Sequence, residues 1–302
     1  MYSIVVLGDS IAWGQGLLEA EKFASLLKNA IAASPLGAGG VQLESLAHSG
    51  AVIDDPGGTG HPVPYGEVPD SVPTIMDQAA QFQTPGDQVD LVLVQGGIND
   101  VGIKTILNPL ALYPSLAGLA QAACHDRMYY LLRRIQGRCT SPTARVLVTG
   151  YYKILSALSD PLGVERLLQH HGMHLPPFVD RAIVCGAIVD RCAEFYAASE
   201  RALAEAVYDI HDPRFTFVTN GFTDANSAFA PDPLLFGLNL GPGGELAPED
   251  PMAGDRRPMC DQSLPGILKL LDREACYRAS AGHPNPAGAA RYFTQLRAVL
   301  GV

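Results

Sequence analysis

The sequence predicts an α/β protein in which a mainly parallel five-stranded sheet is covered by helices on both faces. Three observations carry this expectation: short β-branched runs recur along the chain, stretches with helical spacing separate them, and no apolar run is long enough to be anything but a strand or a covering helix. The expected strands are Ser3 to Leu7, Val41 to Leu46, Asp90 to Val94, Ala144 to Thr149 and Phe215 to Thr219. After the first of them, Phe23, Leu26, Leu27, Ala30 and Ile31 repeat at helical spacing, as do Tyr292, Leu296 and Val299 near the C-terminus. Arg181 to Tyr208 reads as one long helix, apolar at Val184, Ile188, Val189 and Phe195.

Two stretches break the rhythm with dense Gly and Pro, Asp54 to Pro69 and Pro231 to Pro258. Loops of this length in a compact protein often form binding walls or lids. No repeat or inter-domain linker stands out. The expected organisation is therefore a single domain over 1–302 with insertions near 54–70 and 231–265.

Composition narrows the function classes. At 302 residues and 47% hydrophobic, the chain has ample material for a buried core. Acidic residues outnumber basic ones 31 to 21, a formal net charge of −10, so a phosphate-neutralising surface for nucleic acid has no support. No stretch approaches the roughly 18 to 20 apolar residues that span a bilayer, so no transmembrane segment is expected. The chain enters its first strand at once, without the basic and apolar segments of a secretory leader; the expectation is an intracellular protein, or a secreted or periplasmic one whose leader was removed. Six cysteines, at 124, 139, 185, 192, 260 and 276, permit several pairings. On one helix Cys185 and Cys192 would lie about 10 Å apart along the axis and cannot pair. Buried thiols and a bridge such as Cys260 with Cys276 both stay open.

The chemistry-bearing motifs sit at predicted strand ends. The first strand runs into Gly8-Asp9-Ser10, which puts a serine at the carboxyl edge where open α/β sheets build their sites. The residue two after Ser10 is Ala12, so this is not the G-x-S-x-G elbow of α/β-hydrolases. A nucleotide-binding loop is disfavoured too, since only the first glycine of G-x-G-x-x-G is present. The strand Val41 to Leu46 leads to Ser49-Gly50, and Leu91 to Val94 leads to Gly96-Gly97-Ile98-Asn99-Asp100. In a parallel sheet these ends share one edge, so the Asn99 amide and the Ser10 and Gly50 N–H groups can converge on an oxyanion. Finally, Gly282-His283-Pro284-Asn285 precedes the last amphipathic helix and offers an imidazole as general base. Asp9 and Asp100 are expected to hold their loops through backbone N–H groups, and Trp13 to pack beside the nucleophile or wall an acyl pocket. His170, His171 and His174 have no carboxylate or cysteine that completes a metal set and read as a polar helix end.

In this order, Gly8-Asp9-Ser10, Gly50, Gly97-Ile98-Asn99-Asp100 and His283-Pro284-Asn285 resemble the four signature blocks of SGNH (GDSL-like) serine hydrolases. Val148 to Tyr152 and Phe229 to Pro233 look like stretches of its lipase and esterase members. The resemblance implies a flavodoxin-like three-layer α/β/α fold and ester hydrolysis through an acyl-enzyme. It implies Ser10 as nucleophile, His283 as base, an oxyanion hole of Ser10, Gly50 and Asn99, and no metal or organic cofactor. One position departs from the family, which usually carries an aspartate three residues before the histidine; here it is Ser280. Three readings follow: a Ser–His dyad with a backbone carbonyl near Ser280 orienting the imidazole, a carboxylate from elsewhere such as Asp272 or Glu274, or an inactive relative. The dyad is preferred, because a main-chain carbonyl in similar family members takes that place. The expected partner is a small ester or lipid, its acyl chain lying against Leu234, Leu235, Phe236 and Leu238. A carbohydrate acetylesterase and a non-catalytic binding protein are the alternatives.

Overall fold

The computed structural model describes residues 1–302 except 56, 59, 61, 111–114, 175–179 and 267–268. Three positions of the 54–70 insertion thus lie outside the described residues.

The strands form where the β-branched runs stand: β1 Tyr2–Gly8, β2 Val41–Ser45, β3 Leu91–Gln95, β4 Arg145–Thr149 and β5 Phe215–Val218. They make one parallel sheet in the order β2-β1-β3-β4-β5. Ile4 to Leu7 and Leu91 to Val94 are fully buried, as strands covered on both faces must be.

The helices in chain order are α1 Ser10–Trp13, α2 Phe23–Ala32, α3 Ile75–Gln81, α4 Ile98–Val101, α5 Ile103–Leu107, α6 Leu116–Ala120, α7 Met128–Arg138, α8 Pro161–His170, α9 Arg181–Asp209, α10 Ala253–Ser263, α11 Leu270–Tyr277 and α12 Pro286–Leu300. On one side α2 packs on α12, with Phe23 stacked on Tyr292 at 5.5 Å; on the other, α3 meets α7 and α7 meets α9. The result is a three-layer α/β/α fold. A π-helical turn, Gln121–Arg127, joins α6 to α7.

The strand order reverses direction at β1, which has β2 on one side and β3 on the other. This is the topological switch point, where the loops leaving β1 and β3 part and open a crevice at the carboxyl edge. Ser10 leaves β1 there, and Gly97 to Asn99 leave β3 there.

The 231–265 insertion is more ordered than a Gly/Pro-rich loop suggests. It carries a hairpin of β6 Leu238–Leu240 with β7 Leu246–Pro248, and then α10. Cys260 on α10 and Cys276 on α11 form a disulfide; Cys124, Cys139, Cys185 and Cys192 are buried free thiols. Among the described residues, no helix is long and apolar enough to cross a membrane.

Candidate active site

Ser10 is the first residue of α1. Gly8 makes its sharp exit from β1 possible: its φ is +154°, and a Cβ there would lie 2.5 Å from the Gln95 carbonyl oxygen. Asp9 caps α1 by accepting from Ile11 N at 3.0 Å, and its other oxygen accepts from the Tyr151 hydroxyl at 2.8 Å. Burial pushes the Asp9 carboxyl up to about 6, against the pull of these donors.

His283 is presented by a braced loop. Asn285 caps α12 by accepting from Gly288 N at 3.0 Å, and Pro286 opens the helix. The insertion clamps the loop from behind: Phe236 N donates to the His283 carbonyl at 2.8 Å, and Gly282 N donates to Phe236 O at 2.9 Å. From below, the Tyr152 hydroxyl donates to the Gly282 carbonyl at 2.8 Å. So held, His283 Nε2 lies 2.7 Å from Ser10 Oγ, across 273 positions of sequence. Desolvation pushes this imidazole down to about 4, although the Ser280 carbonyl opposes the shift. The ring is therefore neutral near pH 7, with Nε2 free to accept from the serine hydroxyl. The carbonyls of Ser280 and Ala281 act on the ring, and Ser280 O accepts from His283 N at 2.9 Å, but Nδ1 itself makes no hydrogen bond of normal geometry.

The donors expected for an oxyanion border the same space. Gly50 has φ +80° and packs so closely on Asp70 that a Cβ would sit 2.6 Å from Asp70 N. Asn99 Nδ2 donates one hydrogen to Ala51 O at 3.0 Å, which leaves its second one available. Among the described residues, the N–H groups of Ser10 and Gly50 donate to no protein acceptor. Tyr151 couples these loops, since the hydroxyl that donates to Asp9 also accepts from Ile98 N at 3.0 Å. Asp100 holds its own loop through Ile53 N at 3.0 Å and pairs with Arg127 at 2.7 Å.

Ser10, Gly50, Asn99 and His283 line one cavity of about 410 Å³. Its other walls differ from expectation. Leu234, Leu235, Phe236 and Leu238 are buried but absent from the lining, because they pack behind the His283 loop; Ile98, Ile103, Ile154, Leu167 and Leu264 supply the apolar surface instead. Trp13 is not in the lining either: its Nε1 donates to Glu67 at 2.9 Å, and Lys22 sits 3.7 Å over its ring. His170 and His171 do close a helix, α8, but both border the cavity, and His170 is buried. Among the described residues no group of His, Cys, Asp or Glu could hold a metal ion.

Neither remote carboxylate considered for the base reaches it. Asp272 pairs with Lys269 at 3.0 Å and Glu274 with Arg278 at 2.9 Å. The Ser280 hydroxyl instead donates to Asp250, which belongs to a buried cluster that the motifs gave no sign of. Arg256, fully buried, pairs with Asp250 and, at 2.9 Å, with Glu67. Glu67 in turn accepts from Trp13, from Gln15 Nε2 at 3.0 Å and from Gly16 N at 3.3 Å. One cluster thus ties both insertions to the loops of Ser10 and His283. An arginine, a glutamate and an aspartate inside Pro-rich segments were its only sequence signal.

No family model matches the sequence, and no curated protein does. Among solved structures, an extracellular lipase from Streptomyces rimosus superposes with a TM-score of 0.52 at 16% identity, covering 99% of each chain. Looser likenesses, which bear no weight, are a lipase from a goat rumen metagenome (TM-score 0.47, 15% identity, 99% of this chain and 97% of that one) and a carbohydrate acetylesterase family member from Sinorhizobium meliloti (TM-score 0.45, 13% identity, 100% of each). The chain thus has a three-layer α/β/α fold, shared with the Streptomyces rimosus lipase.

Proposed function

We propose that the protein is a single-domain SGNH-type carboxylic ester hydrolase over residues 1–302 that works through an acyl-enzyme. The observation that carries the reading is the 2.7 Å contact between His283 Nε2 and Ser10 Oγ at one side of a largely apolar cavity. Ser10 Oγ attacks the ester carbonyl carbon while its proton passes to Nε2. The resulting oxyanion accepts from the Ser10 and Gly50 N–H groups and from Asn99 Nδ2. The carbon–oxygen bond to the alcohol then breaks, and His283 returns the proton to the departing oxygen. Water attacks the acyl-serine with His283 as base again, and the acid leaves as Ser10 regains its proton. No step needs a metal or organic cofactor.

The base works as one half of a dyad, its Nδ1–H directed at the main-chain carbonyl of Ser280. Short to medium acyl esters or lipids are the substrate class, since the apolar walls offer more surface than an acetyl group covers. Ser10→Ala and His283→Ala should each lower kcat on p-nitrophenyl acyl esters by about 10³-fold or more. A fluorophosphonate should label the wild-type serine. Wild-type turnover by either variant, or an unlabelled wild-type protein, overturns the proposal; the latter result would point to a binding protein.

A further inference from the structure

Beyond the reacting groups, the cavity has a second polar place. His170 and His171 end α8 and line the same cavity as Ser10 and His283, among walls that are mostly apolar, with Ser49, Tyr152 and Asp272 as the other polar side chains outside the reacting groups. Asp272 is engaged with Lys269, and the Tyr152 hydroxyl is committed to the Gly282 carbonyl. Both imidazoles are neutral: burial pushes His171 down to about 4 and His170 further, and the charges of Lys104 and, for His170, Arg278 act in the same direction.

The tautomer of His170 follows from its neighbour. Arg278 Nε approaches His170 Nδ1 at 3.5 Å, a long hydrogen bond, and a guanidinium can only donate. Nδ1 is therefore the acceptor, and the ring proton sits on Nε2. Among the described residues His170 Nε2 and both ring nitrogens of His171 have no protein partner, none of these atoms is fully buried, and both residues line the cavity. Water can satisfy them while the cavity is empty. A hydrocarbon chain that displaces this water leaves a ring N–H unpaired, which is how sites built around hydrogen bonds reject apolar analogues.

We propose that His170 and His171 determine specificity, selecting esters whose cavity-bound arm carries an uncharged oxygen acceptor such as a keto, ether or hydroxyl oxygen. The inference deepens the ester-hydrolase reading and rests on it for the reaction. Lys104 and Arg278 give this end a positive potential that favours an acceptor over a cation. The apolar walls disfavour a full negative charge.

Two matched pairs of substrates test it, one for each arm of the ester: p-nitrophenyl pentanoate against p-nitrophenyl 4-oxopentanoate, and pentyl acetate against 4-oxopentyl acetate. In at least one pair the wild-type protein should favour the oxo compound by about tenfold in kcat/KM. His170→Phe or His171→Phe should erase that preference. His170→Gln, whose Nε2 can still donate, should keep most of it. No preference in either pair, or an unchanged preference in both Phe variants, overturns the proposal. Calorimetric titration of the same four compounds into Ser10→Ala separates the two readings, because binding there needs no turnover. Selective binding of the oxo compounds by a protein that hydrolyses none of them would refute the esterase and retain the recognition site; hydrolysis without selection would do the reverse.

Discussion

Replacing Arg256 by methionine should cost about 4 kcal/mol of folding stability. The guanidinium is fully buried and shared among Glu67 Oε2 at 2.9 Å, the Tyr277 carbonyl at 3.0 Å and both carboxylate oxygens of Asp250. Methionine restores much of the volume and none of the bonds, so the loss is electrostatic rather than a cavity. Its size depends on which acid is stranded. Glu67 keeps the donors of Trp13, Gln15 and Gly16, whereas Asp250 keeps the Ser280 hydroxyl alone among the described residues. Removing one partner of a buried pair costs about 3–5 kcal/mol, and Asp250 therefore sets the figure. In urea unfolding the midpoint should fall with the slope unchanged, and at about 2 °C per kcal/mol the Tm should fall by roughly 8 °C. Arg256→Lys should recover only part of this, because an ammonium cannot fork across two acids and a carbonyl. A methionine variant within about 1 kcal/mol of the wild type, or a lysine variant equal to arginine, would show that the cluster is not holding the insertions in place.

Three further outcomes follow from the site and its supports. The base is active when neutral, and its imidazole is pushed from 6.5 to about 4, so kcat/KM should stay level as the pH drops through 6.5 and decline only below about 4; an acid limb centred at 6.5 in the pH profile would mean that His283 is solvated. Asn99→Ala should lower kcat by about 10²–10³-fold with little change in KM, read from steady-state kinetics, since its donor is needed only as the oxyanion forms. Gly8→Ala should sharply reduce the soluble yield, for its Cβ would meet the Gln95 carbonyl at 2.5 Å on a backbone with φ +154°, whereas Gly137→Ala, with nothing within 4 Å inside α7, should leave the yield unchanged or better.

The sheet was legible because a strand buried on both faces must be apolar almost throughout, and Ile4 to Leu7 and Leu91 to Val94 announce themselves by that alone. Residues at strand ends were legible for a related reason: in a parallel sheet, chain order and a shared edge suffice to bring Ser10, Gly50 and Asn99 near one another. Side walls were not. Leu234 to Leu238 are apolar in a loop, and composition alone cannot distinguish a surface that faces ligand from one that faces the back of the His283 loop. That the helix end of His170 and His171 borders the cavity was hidden for the opposite reason, since polar residues at a helix end are usually solvated. Here the helix end points into the cavity. The Asp250–Arg256–Glu67 cluster was illegible in principle, because Arg256 and Glu67 stand 189 positions apart and no local pattern encodes their meeting.

That cluster also bears on what stands in for the missing carboxylate. Asp250 is the acid joined to Ser280, so it invites the role of a remote orienting charge for His283. The balance of influences argues otherwise. Arg256 lowers the affinity of the imidazole for a proton more than Asp250 raises it, and desolvation outweighs both. Arg256 and Asp250 together therefore give the imidazolium no net support; what Asp250 supplies is a fixed position for Ser280, whose hydroxyl donates to it. In the proposed mechanism a base this weak takes the serine proton only when the developing negative charge is well received, which would shift the burden of catalysis to the three proposed oxyanion donors. On that proposal an orienting aspartate is dispensable provided the loops that present Ser10, Gly50, Asn99 and His283 do not move, and the buried cluster and Tyr151 brace those loops.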